Sequence, residues 1–393
     1  MSMPITINNL AIQSEIEAFK EAAKSNNLQD YFIGIDIGGT NTRVNAGFVK
    51  GRIYEFTKFT ANDVETLYAG LLLAETILRT VYVNKAPLAC CIDIAGPTTT
   101  SDDYHITNYN HTNNGNVVQR KMLPPMICPK DSTYFLNDLE SGCYGLVSLI
   151  KDRQDDNYFT NMVTRSQERT PGSQVFVILA AGTGLGAGLI HHIDRSDKYY
   201  VIPTELGHIS IKPVGPNHSL FQKEMKLLSS IEPNYEKAHS SDKKRMFSLE
   251  YEDIVSGRGV VDCYNYFKSS TDKAIDNSGE IATTAISLVE NDSKFNVESN
   301  PCTLAMMTHY RYLFREAQEL AVGLRATDVF LIGDNMVNNA PFVNAVKDEL
   351  ITEFFDHPKE HWLKKVTSLH VQSKKENLNL LGTIYYARTV LDQ

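Results

Sequence analysis

Asn137 and Asp138 stand together in "TYFLNDLESGCYGLV", where a strand-like run gives way to a helical one. In layered α/β proteins ligands gather at the carboxyl ends of strands, and a carboxylate there can take a proton from a hydroxyl. The plainer reading makes Asp138 the cap of the helix. Asp36, Gly38, Gly39 and Thr40 lie in "FIGIDIGGTNTRVNAGFV", between two strand-like runs. Glycines let a backbone approach phosphate oxygens, and successive N–H groups form an anion nest. The Thr40 hydroxyl adds a donor, and Asp36 can hold Mg²⁺ through water. The competing reading is a Gly-Gly hairpin with a turn aspartate. A dinucleotide fingerprint needs a helix after the glycines, but "TRVNAGFV" alternates like a strand; a Walker loop needs a lysine, and none follows Gly39.

A second glycine turn, Gly182-Thr183-Gly184 in "VFVILAAGTGLGAGLI", follows 143 residues after the first and is again flanked by strand-like runs. The two stretches suggest a duplicated domain plan, with two turns able to hold a polyphosphate. "PTELGHIS" carries Glu205 and His208 three residues apart, a spacing that suits a metal pair or an exposed helix face. Pro203 and Gly207 argue against a helix, so both point from a loop. No cysteine or histidine cluster follows, so zinc spacing is absent. Glu252, in "SLEYEDIVSGRGVV", reads locally as an acid in the first turn of a helix.

The elements that must position these residues alternate. Residues 10–25 have an amphipathic helical period, 31–60 read as strand-turn-strand, and "VETLYAGLLLAETILRTVYV" is a helix. "APLACCIDIAGP" is a buried strand, 151–173 a polar surface loop, and 248–267, 275–290 and 303–325 are helices. "DVFLIGD" and "SLHVQS" are strands, and "NLNLLGTIYYARTVL" a closing helix. Such alternation indicates α/β layers, and 393 residues suffice for two or three domains. We expect an N-terminal helical extension over 1–30. A small α/β domain over 31–150 takes back a helix at 377–393, and a large α/β domain covers 151–376. A net charge of −9 without a long basic run argues against nucleic acid or an anionic membrane as partner. The longest apolar stretch, 16 residues with four glycines, is too short and broken to span a bilayer. Six cysteines without regular spacing, and no signal-like start, point to a reducing cytoplasm.

Taken in order, "DIGGTNTR", "IAGP", "FLNDLESG", "AAGTGLGAGL", "TELGHIS" and "YEDIVSGRGVV" resemble the bacterial-type glucokinase family of the hexokinase–actin–chaperone ATPase superfamily. The resemblance covers roughly residues 31–390. It implies a two-domain actin-like ATPase (ribonuclease H-like) fold with a duplicated core and a ligand cleft between domains. It implies transfer of phosphate from ATP, with Mg²⁺, to the 6-hydroxyl of D-glucose, the first step of glycolysis. It makes Asp138 the catalytic base, and Asn108, Asn137, Glu205, His208 and Glu252 sugar contacts alongside it. Asp36, Gly38, Gly39, Thr40 and Asn41 match the first phosphate motif, Gly182, Thr183 and Gly184 the second, and Gly333 the nucleotide-site strand end. A homodimer is the expected assembly.

The sequence departs from that pattern at Asp334, which stands where the family carries a second glycine and puts the phosphate donor in question. A kinase for another hexose or an amino sugar, or one using another donor, is the alternative. "HISIKPVGPNHS" lacks the cysteine-rich zinc loop of the related sugar-kinase and repressor branch. An intact base stands against a sugar sensor, and an actin-like or chaperone-like ATPase would have no reason to keep the Asn-Asp, Glu-x-x-His and Glu252 set together.

Overall fold

The computed structural model describes residues 9–25, 29–38, 41–96, 103–107, 109, 115–168, 172–239, 248–291 and 295–392. The chain forms two compact units, Met1–Asp155 with Asn377–Gln393, and Asp156–Glu376. Among the described residues no helix is long and apolar enough to cross a membrane.

The first unit opens with α1 (Asn9–Ser25), then β1 (Tyr31–Ile37), β2 (Asn41–Phe48), β3 (Ile53–Thr60) and α2 (Val64–Arg79). β4 (Ala89–Ile94), a small hairpin of β5 (Asp103–His105) and β6 (Val117–Gln119), β7 (Thr133–Asn137) and α3 (Asp138–Lys151) follow. The sheet order is β3-β2-β1-β4-β7. β1 to β3 form an antiparallel meander, while β4 and β7 run parallel to β1. β1 and β4 are buried along their whole length, as the continuous apolar runs of central parallel strands require. α1 packs Phe19 against Phe48 and Tyr54. That burial of apolar surface is what an isolated short helix needs to persist.

A four-residue helix, α4 (Asp155–Tyr158), stands at the unit boundary. The second unit then builds β8 (Phe159–Val163), β9 (Ser173–Ala181), β10 (Leu185–Ile193), β11 (Lys198–Pro203), α5 (Phe221–His239), α6 (Gly257–Phe267), α7 (Ser278–Asn291) and α8 (Pro301–Gly323). It closes with β12 (Asp328–Ile332), α9 (Asp334–Asn338), α10 (Ala340–Ala345), α11 (Lys347–Phe355), α12 (Glu360–Val366) and β13 (Ser368–Gln372). Its sheet runs β11-β10-β9-β12-β13-β8. β9 to β11 are again an antiparallel meander, with β12 parallel to β9 and β13 parallel to β12. The two units thus repeat one plan, with β8 added antiparallel to β13.

Two expectations need correction. The stretch 151–173 is not only loop, since it contains α4 and β8. β8 is an edge strand with only Phe159 and Met162 buried, so no alternating pattern marks it. The helix placed over 248–267 begins at Gly257. Tyr251–Asp253 form a separate 3₁₀ turn closed by Glu250 and Asp253, and Ser256 then caps α6 by accepting from Gly259 N–H at 3.1 Å.

The last helix, α13 (Leu378–Thr389), returns to the first unit and packs on α3, β1 and β4. Glycine is required at the crossing, because a Cβ on Gly382 would stand 1.7 Å from the Ser141 carbonyl oxygen. Ser141 Oγ fastens the contact by donating to Asn379 O at 2.7 Å. In the second unit α8 is the buried axis. Its Arg315 donates to Glu224 Oε1 at 3.0 Å and to Glu353 Oε1 at 2.5 Å. One residue on, Glu316 is fully buried and neither carboxylate oxygen has a hydrogen-bond partner among the described residues.

Candidate active site

In the first unit the sheet register gathers carboxylates. Asp36 on β1 is directly opposite Arg43 on β2 and Asp93 on β4. Arg43 Nη1 donates to Asp36 Oδ2 at 3.0 Å, and Asn377 Nδ2 donates to the same oxygen at 2.6 Å. Asp93 is wholly buried, with the Asp36 carboxylate and Ser141 beside it. Burial first, then the charges of Asp36 and Asp138, drive its carboxyl well above the ordinary range.

β7 ends at Asn137, and Asn137 rather than Asp138 caps α3. Its Oδ1 accepts from Leu139 N–H at 2.9 Å, Glu140 reaches back to Asn137 N–H, and its Nδ2 donates to Gly96 O at 3.0 Å. The local reading of Asp138 as cap is therefore corrected: Asp138 is the first helical residue, beside the carboxyl end of the strand. Its Oδ1 accepts from Leu139 N–H at 2.8 Å. Gly38 N–H closes the first glycine turn on Asn41 O at 3.1 Å. Asn108, Gly39 and Thr40 lie outside the described residues.

In the second unit the β9–β10 turn holds Gly182, Thr183 and Gly184, with Gly182 N–H bonded to Gly184 O at 2.8 Å. Gly257 N–H, at the start of α6, donates to Gly182 O at 3.0 Å. Glu252 lies over this turn, where its Oε2 accepts from Leu185 N–H at 2.9 Å. A Cβ on Gly184 would be 2.6 Å from that oxygen, so only glycine leaves room for the carboxylate. Glu252 is thus an acid of the 3₁₀ turn that precedes α6, not of the first turn of α6 itself, and it faces the glycine turn.

Leu206–His208 form a 3₁₀ turn, and Glu205 precedes it as an exposed side chain. His208 Nε2 lies 3.8 Å from Glu205 Oε2, and its Nδ1 pairs with Glu250 Oε2 at 2.8 Å. Partial burial pulls the imidazole down, but the Glu250 bond and the charges of Glu252, Glu250 and Glu205 together outweigh it and raise its pKa. Gly333 follows β12 and precedes α9, and its N–H donates to Gln372 Oε1 at 2.8 Å. Asn335 Nδ2 reaches Ala181 O, the carbonyl before Gly182, at 3.2 Å.

The sequence model of the glucokinase family matches residues 33–387. The chain belongs to the glucokinase family. It is similar to "Glucokinase 1" of Trichomonas vaginalis, at 29% identity over 92% of this chain and 94% of that one. It is 31% identical to "Probable glucokinase 2" of the same organism, over 92% of this chain and 93% of the other. The solved glucokinase of Balamuthia mandrillaris, a complex with glucose, superposes with a TM-score of 0.82 at 30% identity, over 98% of this chain and all of that one. The repeated sheet plan is accordingly the duplicated core of the actin-like ATPase fold, and the chain is a hexose kinase.

Asp93, Arg43, Asn377, Glu250, Asn335 and Gln372 were not singled out from the sequence. Asp93 left a signal, as the sole acid in the apolar run "LACCIDIAG". Glu250 left none, because its bond to His208 spans 42 residues. For a Mg²⁺ ion the donor set fits. Asp36 and Asp93 are adjacent in register, and a cation there would relieve the charge of Asp36 that helps raise the Asp93 carboxyl. Among the described residues no three acidic, histidine or cysteine side chains form a closed metal cage. Mg²⁺ keeps several waters and takes one or two carboxylates with substrate phosphates.

Proposed function

We propose that the chain phosphorylates D-glucose at the 6-hydroxyl with ATP, and that Asp138 is the base. The observation that carries this reading is that Asn137 takes the capping duty of α3. Asp138 is left as the next residue at the strand's carboxyl end. Its carboxylate accepts the 6-hydroxyl proton as the oxygen attacks the terminal phosphorus. The new O–P bond forms while the bond to the ADP oxygen breaks, and ADP leaves with that electron pair. Asn137, Glu205, His208 and Glu252 present amide, carboxylate and imidazole groups, which match hydroxyls that both donate and accept. A sugar lacking or inverting one of them would leave a polar group unpaired, which is how such a site selects. Asn108 is assigned with them from the family pattern.

The phosphates of the nucleotide are assigned to the two glycine turns, Gly38 to Asn41 and Gly182 to Gly184, with Gly333 at the nucleotide strand end. Asp36 would hold Mg²⁺ through water, with Asp93 beside it, and the ion would neutralise phosphate charge. Asp334, the first residue of α9, bears on the donor, so a panel of nucleoside triphosphates and polyphosphate ranked by kcat/KM belongs with a panel of hexoses. On this reading the enzyme acts in the cytoplasm at the first step of glycolysis. It works as a homodimer, which a sedimentation run showing monomer alone would contradict.

Asp138→Asn tests the base. We expect kcat to fall by about 10²–10⁴ with little change in KM for glucose. A variant that keeps near-normal kcat removes Asp138 from that role.

A further inference from the structure

The second unit contains a cavity of about 470 Å³ among α5, α8, α11 and the loop carrying Phe295 to Glu298. None of the residues assigned above to sugar, phosphate or metal lines it. The volume is that of small-molecule sites, which run roughly 300–1,000 Å³. Its walls mix apolar side chains, Leu227, Phe267, Phe295, Leu304 and Met307, with polar ones in about equal measure, and two cations line it, Lys223 and Arg311.

The polar groups around the cavity are otherwise engaged. Glu224 is held by Arg315 at 3.0 Å and also accepts from Tyr312 Oη at 3.1 Å and from Val214 N–H at 2.9 Å. Lys223 pairs with Glu298 at 3.2 Å on the exposed rim. Thr308 turns its hydroxyl back to Leu304 O at 2.8 Å. Glu349 is exposed at the rim, where water screens its charge. Arg311 is half-buried and has no ion-pair or hydrogen-bond partner among the described residues. The contrast with Arg315, one turn further along α8 and clasped by two glutamates, is direct. A guanidinium drawn out of water without a partner is costly, and a bound anion relieves that cost.

We infer that this cavity is a binding site for a small carboxylate with an aromatic or branched aliphatic body, its head group on the Arg311 guanidinium. With Lys223 held by Glu298, Arg311 is the one lining cation without a partner among the described residues, and it balances one anionic charge, which disfavours a phosphate dianion. The Leu227, Phe267, Phe295, Leu304 and Met307 side chains suit an apolar body better than a ring of hydroxyls, which separates this site from the kinase substrates.

The test uses the full chain and 4-phenylbutyrate, titrated calorimetrically, with 4-phenylbutan-1-ol and glucose 6-phosphate as comparison probes. We expect saturable binding of one acid per chain, undisturbed by saturating glucose. The alcohol should bind at least about tenfold more weakly, as loss of a charge-assisted hydrogen-bond pair implies. Arg311→Met should weaken the acid to the same degree while kcat for glucose stays at the native value, and Arg311→Lys should restore part of the loss. Equal affinity for acid and alcohol, an unaffected Arg311→Met variant, displacement by glucose, preference for glucose 6-phosphate, or no saturable heat from the active protein would each overturn the assignment. Should Arg311→Met fail to fold, the acid and alcohol on the native chain decide alone.

Discussion

Replacing Glu250 tests how the second unit prepares His208. The carboxylate holds Nδ1 at 2.8 Å, with 45% of the His208 side chain and 27% of the Glu250 side chain exposed. A fully buried charge-assisted bond of that length is worth about 1.5–3 kcal/mol, and exposure of this degree reduces it to about 1 kcal/mol. If His208 holds a sugar hydroxyl, as proposed, that energy emerges as a KM for glucose raised about fivefold in Glu250→Ala. kcat should change less than about twofold, because the base is untouched. The pH profile has a definite sign. Glu250 belongs to the charges that raise the His208 pKa, so the native imidazole stays protonated to a pH above its ordinary value. KM should therefore worsen as pH rises through that raised value, when the second N–H donor is lost. In Glu250→Gln the same worsening should begin at lower pH. Steady-state kinetics between pH 5.5 and 8.5 read both effects. An unshifted midpoint and an unchanged KM in the Gln variant would refute the argument that Glu250 sets the state of His208.

Three further outcomes follow from the packing. Arg315→Met strands Glu224 and Glu353 in the interior and should cost about 3–5 kcal/mol in denaturant unfolding. A loss under about 1 kcal/mol would show that those carboxylates find other partners. Burial raises the Glu316 carboxyl well above its ordinary value, so the folded state holds a proton that the unfolded chain releases, and stability falls as pH rises above the unfolded value. Glu316→Met should flatten that slope and raise the melting temperature at pH 7; a parallel pH slope would count against it. Gly184→Ala should push Glu252 off Leu185 N–H and raise KM for glucose about tenfold, whereas Gly182→Ala, whose nearest new neighbour would be at 3.9 Å, should be mild. Equal effects at the two positions would detach Glu252 from the turn.

The strands at the centre of each sheet were plain in the sequence because burial on both faces demands uninterrupted apolar runs, as in "FIGIDI" and "VFVILAA". The repeated strand–glycine turn–strand likewise anticipated the repeated meander. β8 was invisible because an edge strand with exposed Thr160 and Asn161 has no period to read. The break before α6 was missed because helix propensity continues through "EYEDIVSG", while the fold spends that stretch bringing Glu252 to the glycine turn. The neighbours that tune the site residues were least legible. Asn377 meets Asp36 across 341 residues, and Glu250 meets His208 only because Ser210 and Glu250 form an isolated β-bridge. Such partners are products of topology, and no local window contains them.

The return of α13 to the first unit has a consequence for biosynthesis. A chain made from its amino end exposes 156–376, all of the second unit, before the residues that fill the groove over α3 are translated. The second unit is complete in sequence at residue 376, while the first keeps Ala89, Cys91 and Leu136 without their Ala387 cover until translation is nearly done. The half begun first is thus the half whose sequence is completed last. A released chain truncated after residue 376 should resist protease over the second unit and be cut within the first.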